Sequence, residues 1–153
     1  MDARVTDVSS RKRLVYFERW ADPVAEQILG REPDIELVRL SLADAPKKIW
    51  EALAGAHGYQ WPRPPYRGSR ELIERAPKLL AMASQGSGCD VMDFPACNDA
   101  GVTRRAYRQC ADGAAVPWID ILRGKRPPRL VNPEVWPKYQ QRYMRVMRQP
   151  LVA

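Results

Sequence analysis

The stretch RLVYFERWADPVAEQILGREPDIELVRLSL, residues 13–42, reads as a strand, a helix and a second strand. Residues 13–18 are a short β-prone run, apolar at consecutive positions, as in a strand buried on both faces. Asp22 is a good helix N-cap and Pro23 suits the first helical position. Val24, Ala25, Ile28 and Leu29 then fall at helical spacing, and Gly30 can end the helix. In residues 35–42 alternation places Glu36 and Arg39 toward solvent, which fits a strand at a sheet edge. A strand–helix–strand unit of this kind predicts parallel pairing with a right-handed crossover.

The same alternation continues. Residues 44–55 predict a helix with Pro46 in its first turn, a stripe of Ile49, Trp50 and Leu53, and Gly55 as its stop. Residues 56–60 predict a very short third strand. Three prolines among residues 62–65 exclude a helix in the following loop. Ser69 caps a helix carrying Leu72, Ile73 and Ala76, stopped by Pro77, and residues 79–84 form the next strand. A short helix spans Pro95–Ala100 and ends at Gly101. From Thr103 the spacing of Tyr107, Cys110, Ala111, Ala114, Trp118, Ile121 and Leu122 predicts one long helix to about Leu122, kinked at Pro117. Residues 130–136 read as an extended, docked segment, and residues 139–148 as a last polar helix.

The expected fold is therefore α/β: a flavodoxin-like three-layer sandwich around a mostly parallel sheet of four to five strands, in the order 2-1-3-4. Residues 1–12 read as a polar extension, 13–136 as one domain, and 137–153 as a polar helix or tail. No segment approaches the ~18 apolar residues of a membrane span, and residues 1–13 lack a signal-peptide core, so the cytoplasm is the expected location.

The chain of 153 residues has a net charge of +7. Its basic residues are scattered and no nucleic-acid-binding motif organises them, which favours a solvated basic surface attractive to small anions over a nucleic-acid interface. Cys89, Cys97 and Cys110 have neither zinc-site spacing nor an even count; they read as small buried thiols. His57, the one histidine, reads as structural, and Asp90 and Asp93 as helix-capping groups.

Ligands of open parallel sheets bind beyond the carboxyl ends of the strands. Three loops meet there: Glu18 to Trp20, Tyr59 to Trp61, and Gln85 to Asp90. In the last, Gly86 and Gly88 bracket Ser87 and let backbone N–H groups turn outward into a nest for an anion, although a plain strand-to-helix turn has the same spacing. The sequence contains no G-x-G-x-x-G dinucleotide fingerprint, P-loop, H-E-x-x-H or G-x-S-x-G.

The run from Gly68 through Ala76-Pro77-Lys78-Leu79 to Gly86, Gly88, Asp90 and Asp93 resembles the D-isomer-specific 2-hydroxyacid dehydrogenases. So does the tail, from Gly101-Val102-Thr103 through Leu122 to Leu130-Val131-Asn132-Pro133-Glu134-Val135-Trp136. The likeness extends over roughly residues 12–143. Between its two parts the family inserts about 180–200 residues, more than a typical domain, that carry the NAD fingerprint and the catalytic arginine, acid and histidine. Here Ala100-Gly101-Val102-Thr103 joins the two parts directly, and Asn98 stands where the histidine would precede the second Ala-Gly. So tidy a join suggests a single-domain form made by design or by ancestral reconstruction.

The resemblance implies a substrate-binding domain without the NAD-binding domain. It implies that Ser87 and Gly88 would hold a substrate carboxylate through backbone N–H groups, with Gly86 allowing the approach and Trp20, Tyr59 and Gln60 shaping the pocket. No catalytic, cofactor-binding or metal residue carries over. The implied partner is a small 2-hydroxy or 2-keto carboxylate, bound weakly. The alternative is a standalone flavodoxin-like scaffold that forms a homodimer through the uncovered former domain interface. A flavin-binding role is weaker, because the loop after the first strand lacks a Ser/Thr/Gly-rich phosphate cradle.

Overall fold

The computed structural model describes residues 11–18, 23–60, 62–85, 90–107, 111–128 and 130–151. The elements are β1 (Lys12–Phe17), α1 (Pro23–Gly30), β2 (Ile35–Leu40), α2 (Pro46–Ala54), β3 (Gly58–Gln60), α3 (Arg70–Arg75), β4 (Ala81–Gln85), α4 (Phe94–Ala100), β5 (Thr103–Tyr107), α5 (Ala111–Leu122), a 3-10 turn (Pro133–Val135) and α6 (Trp136–Met147). The five strands form one sheet in the order β2-β1-β3-β4-β5, every neighbouring pair parallel. This is the expected flavodoxin-like order with one strand added, and β2 lies at the edge as its alternation indicated.

Local chemistry accounts for most boundaries. Pro23 opens α1 and Pro46 opens α2, at positions where a missing N–H costs nothing. The Ser69 hydroxyl accepts a hydrogen bond from the Leu72 amide at 3.2 Å to start α3. The Asp93 carboxylate accepts one from the Ala96 amide at 2.9 Å to start α4, the capping role assigned to it above. The expected cap at Asp22 lies outside the described residues. Gly101 ends α4 with φ 74, and a Cβ there would come within 2.7 Å of the Lys138 carbonyl oxygen, so both conformation and space require glycine.

The predicted helix from Thr103 is corrected. Thr103–Tyr107 is a strand, in register from Ala81↔Thr103 to Gln85↔Tyr107 against β4, and the helix begins only at Ala111. The reason is non-local. The left-handed turn at Gly101 redirects the chain along the open edge of β4, where its inward-facing backbone groups pair; Thr103 N–H donates to the Leu80 carbonyl at 3.0 Å. The helical spacing read at Tyr107 is overridden by that edge. The segment after α5 is likewise not fully extended, because Pro133–Val135 forms a 3-10 turn leading directly into α6.

Strand alternation divides the core into two layers. Val15, Phe17, Tyr59 and Met82 face α2, α3 and α4. Leu14, Tyr16, Ala81 and Ala83 face α1, α5 and α6. On the second face β3 and β4 present Gly58, Ala81 and Ala83, and Trp118 of α5 fills the depression; a Cβ on Gly58 would lie 2.7 Å from its ring. The last helix is polar by composition but not in its packing: Tyr139, Arg142 and Tyr143 are buried. Arg142 donates through Nε to the Leu79 carbonyl at 2.5 Å, and through its Nη atoms to the Ala76, Pro77 and Ala100 carbonyls at 3.2–3.3 Å. One buried guanidinium thus satisfies the C-terminal carbonyls of α3 and α4 together.

The segment before α6 is fixed by Asn132, which is fully buried. Its Oδ1 accepts from the Arg104 amide at 2.9 Å, and its Nδ2 donates to the Val102 carbonyl and to Asn98 Oδ1. The chain on both sides of Gly101 therefore belongs to one sheet and one core.

Candidate functional site

The strand order reverses between β1 and β3, and the carboxyl ends of β1, β3 and β4 define the crevice in which ligands of such sheets sit. Of the six residues the sequence nominates, Trp20, Gly86, Ser87 and Gly88 lie outside the described residues. Tyr59 and Gln60 end β3 side by side and point to opposite faces, as strand neighbours must.

Tyr59 is fully buried. Its hydroxyl donates to the Tyr66 carbonyl at 2.8 Å and accepts from the Arg63 amide at 3.4 Å. Burial pushes its phenol well above the ordinary range, so it stays a neutral donor. Its bonds hold the proline-rich loop rather than open space. Tyr66 of that loop stacks on Phe17 with ring centroids 5.6 Å apart, and Trp50 meets it edge-on. Gln60 is buried on the other face, where its Oε1 accepts from Trp118 Nε1 at 2.7 Å. Both residues are therefore tied into the packing beneath the carboxyl end of β3.

Two further features of this end were not foreseen. Glu18 follows β1 with φ 60, a conformation uncommon outside glycine. Its carboxylate accepts from the Leu42 amide at 2.9 Å and the Ser41 hydroxyl at 3.2 Å, which locks the exits of β1 and β2 together. Sequence placed Glu18 in the right loop, but the bond to Leu42 depends on strand pairing and has no local signal. In addition, Gly68 N–H donates to the Val91 carbonyl at 2.7 Å, and Asp93 N–H to the Gly68 carbonyl at 2.8 Å. The loop after β3 is thus joined to the chain that returns from the Gly86–Gly88 loop.

His57 lies at the opposite, amino-terminal end of the sheet, nearly buried. Its Nδ1 accepts the Arg13 amide at 3.0 Å, the structural role the sequence favoured. Cys97 is a buried free thiol, pushed up to about 12 chiefly by burial, hence unreactive at neutral pH; Cys89 and Cys110 lie outside the described residues. Among the described residues no group of three or more His, Cys, Asp or Glu side chains could hold a metal ion. None of the described helices is long and apolar enough to cross a membrane.

No protein-family model matches the sequence, and no curated protein matches it. Solved structures share the fold. NAD+-bound 3-phosphoglycerate dehydrogenase from Entamoeba histolytica is 19% identical with a TM-score of 0.52, the match covering 63% of this chain and 32% of that one. NAD-dependent formate dehydrogenase from Staphylococcus aureus is 20% identical with a TM-score of 0.50, over 61% of this chain and 32% of that one. A protein from Ralstonia solanacearum assigned as a D-3-phosphoglycerate dehydrogenase is 19% identical with a TM-score of 0.50, over 74% and 35%. The chain spans about a third of the length of these proteins, and at such identities the likeness is one of fold: a doubly covered parallel sheet of the kind found within NAD-dependent dehydrogenases.

Proposed function

We propose that the chain is a substrate-binding domain of the D-2-hydroxyacid dehydrogenase kind, closed up where the family's NAD-binding lobe would intervene. It takes a small 2-hydroxy or 2-keto carboxylate at the Gly86–Ser87–Gly88 loop and, as these 153 residues, transfers no hydride. Trp20, Tyr59 and Gln60 shape the pocket, the last two by supporting its walls. The supporting observation is the pairing of β4 with β5 across Gly101, at the point where the family inserts its second lobe. The segments that resemble the two arms of a substrate domain meet there as one sheet, braced by Asn132. The fold shared with NAD-dependent dehydrogenases agrees with this assignment, and the motif Gly86, Gly88, Asp90, Asp93 offers the carboxylate bare backbone donors.

The test is an amide NMR titration with pyruvate, run beside an assay of NADH consumption. Saturable shifts at the Ser87 and Gly88 amides without NADH oxidation are expected. Turnover of pyruvate by the pure chain, or shifts confined to other regions, would overturn the proposal.

A further inference from the structure

One well-bounded concavity lined by described residues is not at the carboxyl ends of the strands. It is a cavity of about 720 Å³ at the amino-terminal end of the sheet, within the roughly 300–1,000 Å³ usual for small-ligand sites. Five cations line it: Arg11 and Arg13 from the start of β1, Lys78 before β4, and Arg145 and Arg148 at the end of α6. Glu36 is the one carboxylate among the described lining residues, and Arg13 already holds it through Nε at 2.9 Å. No described carboxylate pairs with the other four cations.

The ordinary explanation for basic side chains here is that they neutralise helix C-termini. Two helix ends reach the cavity, α2 at Gly55 and α6 at Met147. Each presents about half a negative charge, so together they answer about one cation and leave an excess. Arg148 points the same way. It stands at the C-cap of α6 with φ 52, a position and conformation where glycine is usual, yet it carries a charge to the cavity wall.

His57 supplies a donor of another kind. Because its Nδ1 accepts the Arg13 amide, the neutral ring carries its proton on Nε2, and His57 lines the cavity. Among the described residues nothing is bonded to that N–H. The ring also reports the local potential: burial first, then Lys78, Lys12 and Arg13, hold its pKa down to about 4.

We propose that this cavity is a binding site for a small organic phosphate bearing at least two negative charges, held by Lys78, Arg145 and Arg148 with His57 Nε2–H as a neutral donor. A dianion suits an excess of several flexible cations around a bounded volume, and the arginines suit phosphate oxygens in particular. The site lies at the end of the sheet opposite the carboxyl end of β4 and does not depend on the function assigned to residues 86–88.

The chain has a single histidine, so its Cε1 proton gives one unambiguous NMR signal. The intact chain is titrated with inorganic pyrophosphate and with glycerol 3-phosphate, with potassium chloride at matched ionic strength and pyruvate as controls. A saturable shift is expected for the phosphates, with half-saturation below about 1 mM and a His57 pKa raised by about one unit or more when bound. The paired substitution Lys78→Ser and Arg145→Ser, on exposed side chains, should weaken binding at least about tenfold while leaving the circular dichroism spectrum unchanged. A response no greater than that to potassium chloride, an unaltered affinity in the variant, or a tighter response to a short DNA duplex than to pyrophosphate would each overturn the proposal. A shift caused by pyruvate alone would overturn it too, and would bear separately on the loop at Gly86–Gly88.

Discussion

The two faces of the sheet are built on opposite plans. On the first, the strands supply bulk: Val15, Phe17, Tyr59 and Met82 project toward α2, α3 and α4, which lie between strands close to them in sequence. On the second, the middle strands offer Gly58, Ala81 and Ala83, and the bulk comes from helices: Trp118 of α5, Tyr139 and Tyr143 of α6. The first face is assembled from neighbours. The second waits for residues beyond 111 to return across the sheet, so its integrity measures how well the chain is closed after Gly101.

Replacement of Trp118 by alanine should expose this difference most strongly. Trp118 is fully buried, packs with Leu14 over Gly58, and bonds Gln60. The substitution should cost about 3–5 kcal/mol in urea unfolding, against about 2–5 kcal/mol for Leu53→Ala on the first face. A loss under about 1 kcal/mol would mean that α5 does not seat there, and that the chain after Gly101 contributes little to the domain.

Acid should act next, and in two steps. His57 ties neighbouring strands at the amino end of the sheet: its N–H donates to the Arg13 carbonyl in β1, and its own carbonyl accepts from Leu80 just before β4. Its pKa is held down to about 4 by burial and the neighbouring cations, against 6.5 when free. Between those values the unfolded chain binds a proton that the folded chain refuses, so stability falls as pH drops from about 6.5 to 4, by about 3 kcal/mol at most. Asp34 follows. Hydrogen bonding from Arg123, then Lys12, outweighs burial and holds its carboxyl below the usual range; that stabilisation is present above about pH 4 and lost only beneath it. His57→Asn keeps an acceptor for the Arg13 amide and should flatten the first step alone. A variant whose profile keeps the upper step would show that another group carries it.

The order of strands and helices was legible because its signals are local. Pro23, Pro46, Ser69 and Gly101 mark boundaries within a turn of where they act. Thr103–Tyr107 was misread because Arg104 and Arg105 do not look like strand residues, and only the open edge of β4 makes them one. For the same reason α6 reads as a polar helix although it buries an arginine: the Leu79 and Ala100 carbonyls that receive Arg142 lie more than forty positions away. The carboxyl ends of β1, β3 and β4 were legible as strand ends, but the partners of Tyr59 and Gln60 were not; Trp118 is 58 residues from Gln60. The basic cavity had no sequence signature at all, since Arg11, Lys78 and Arg145 converge only in the folded sheet.

The smallest effect should come from Arg123, at the end of α5. It donates to both oxygens of Asp34 and to Glu32 at 2.5–3.1 Å, joining the second face to the turn before β2. The pairs are about a third exposed, so water and salt weaken them. Arg123→Gln should cost no more than about 1 kcal/mol in dilute buffer, fading toward zero in about 1 M salt, where charges a few ångströms apart are already screened. Its sharper readout is hydrogen exchange. If the two faces open separately, the amides of α1 and α5 should lose protection in the variant while those of α2 and α3 keep theirs. Equal loss everywhere would mean that the returning chain has fused both layers into one cooperative unit, the outcome favoured by Arg142, which spans from α6 on one face to the ends of α3 and α4 on the other.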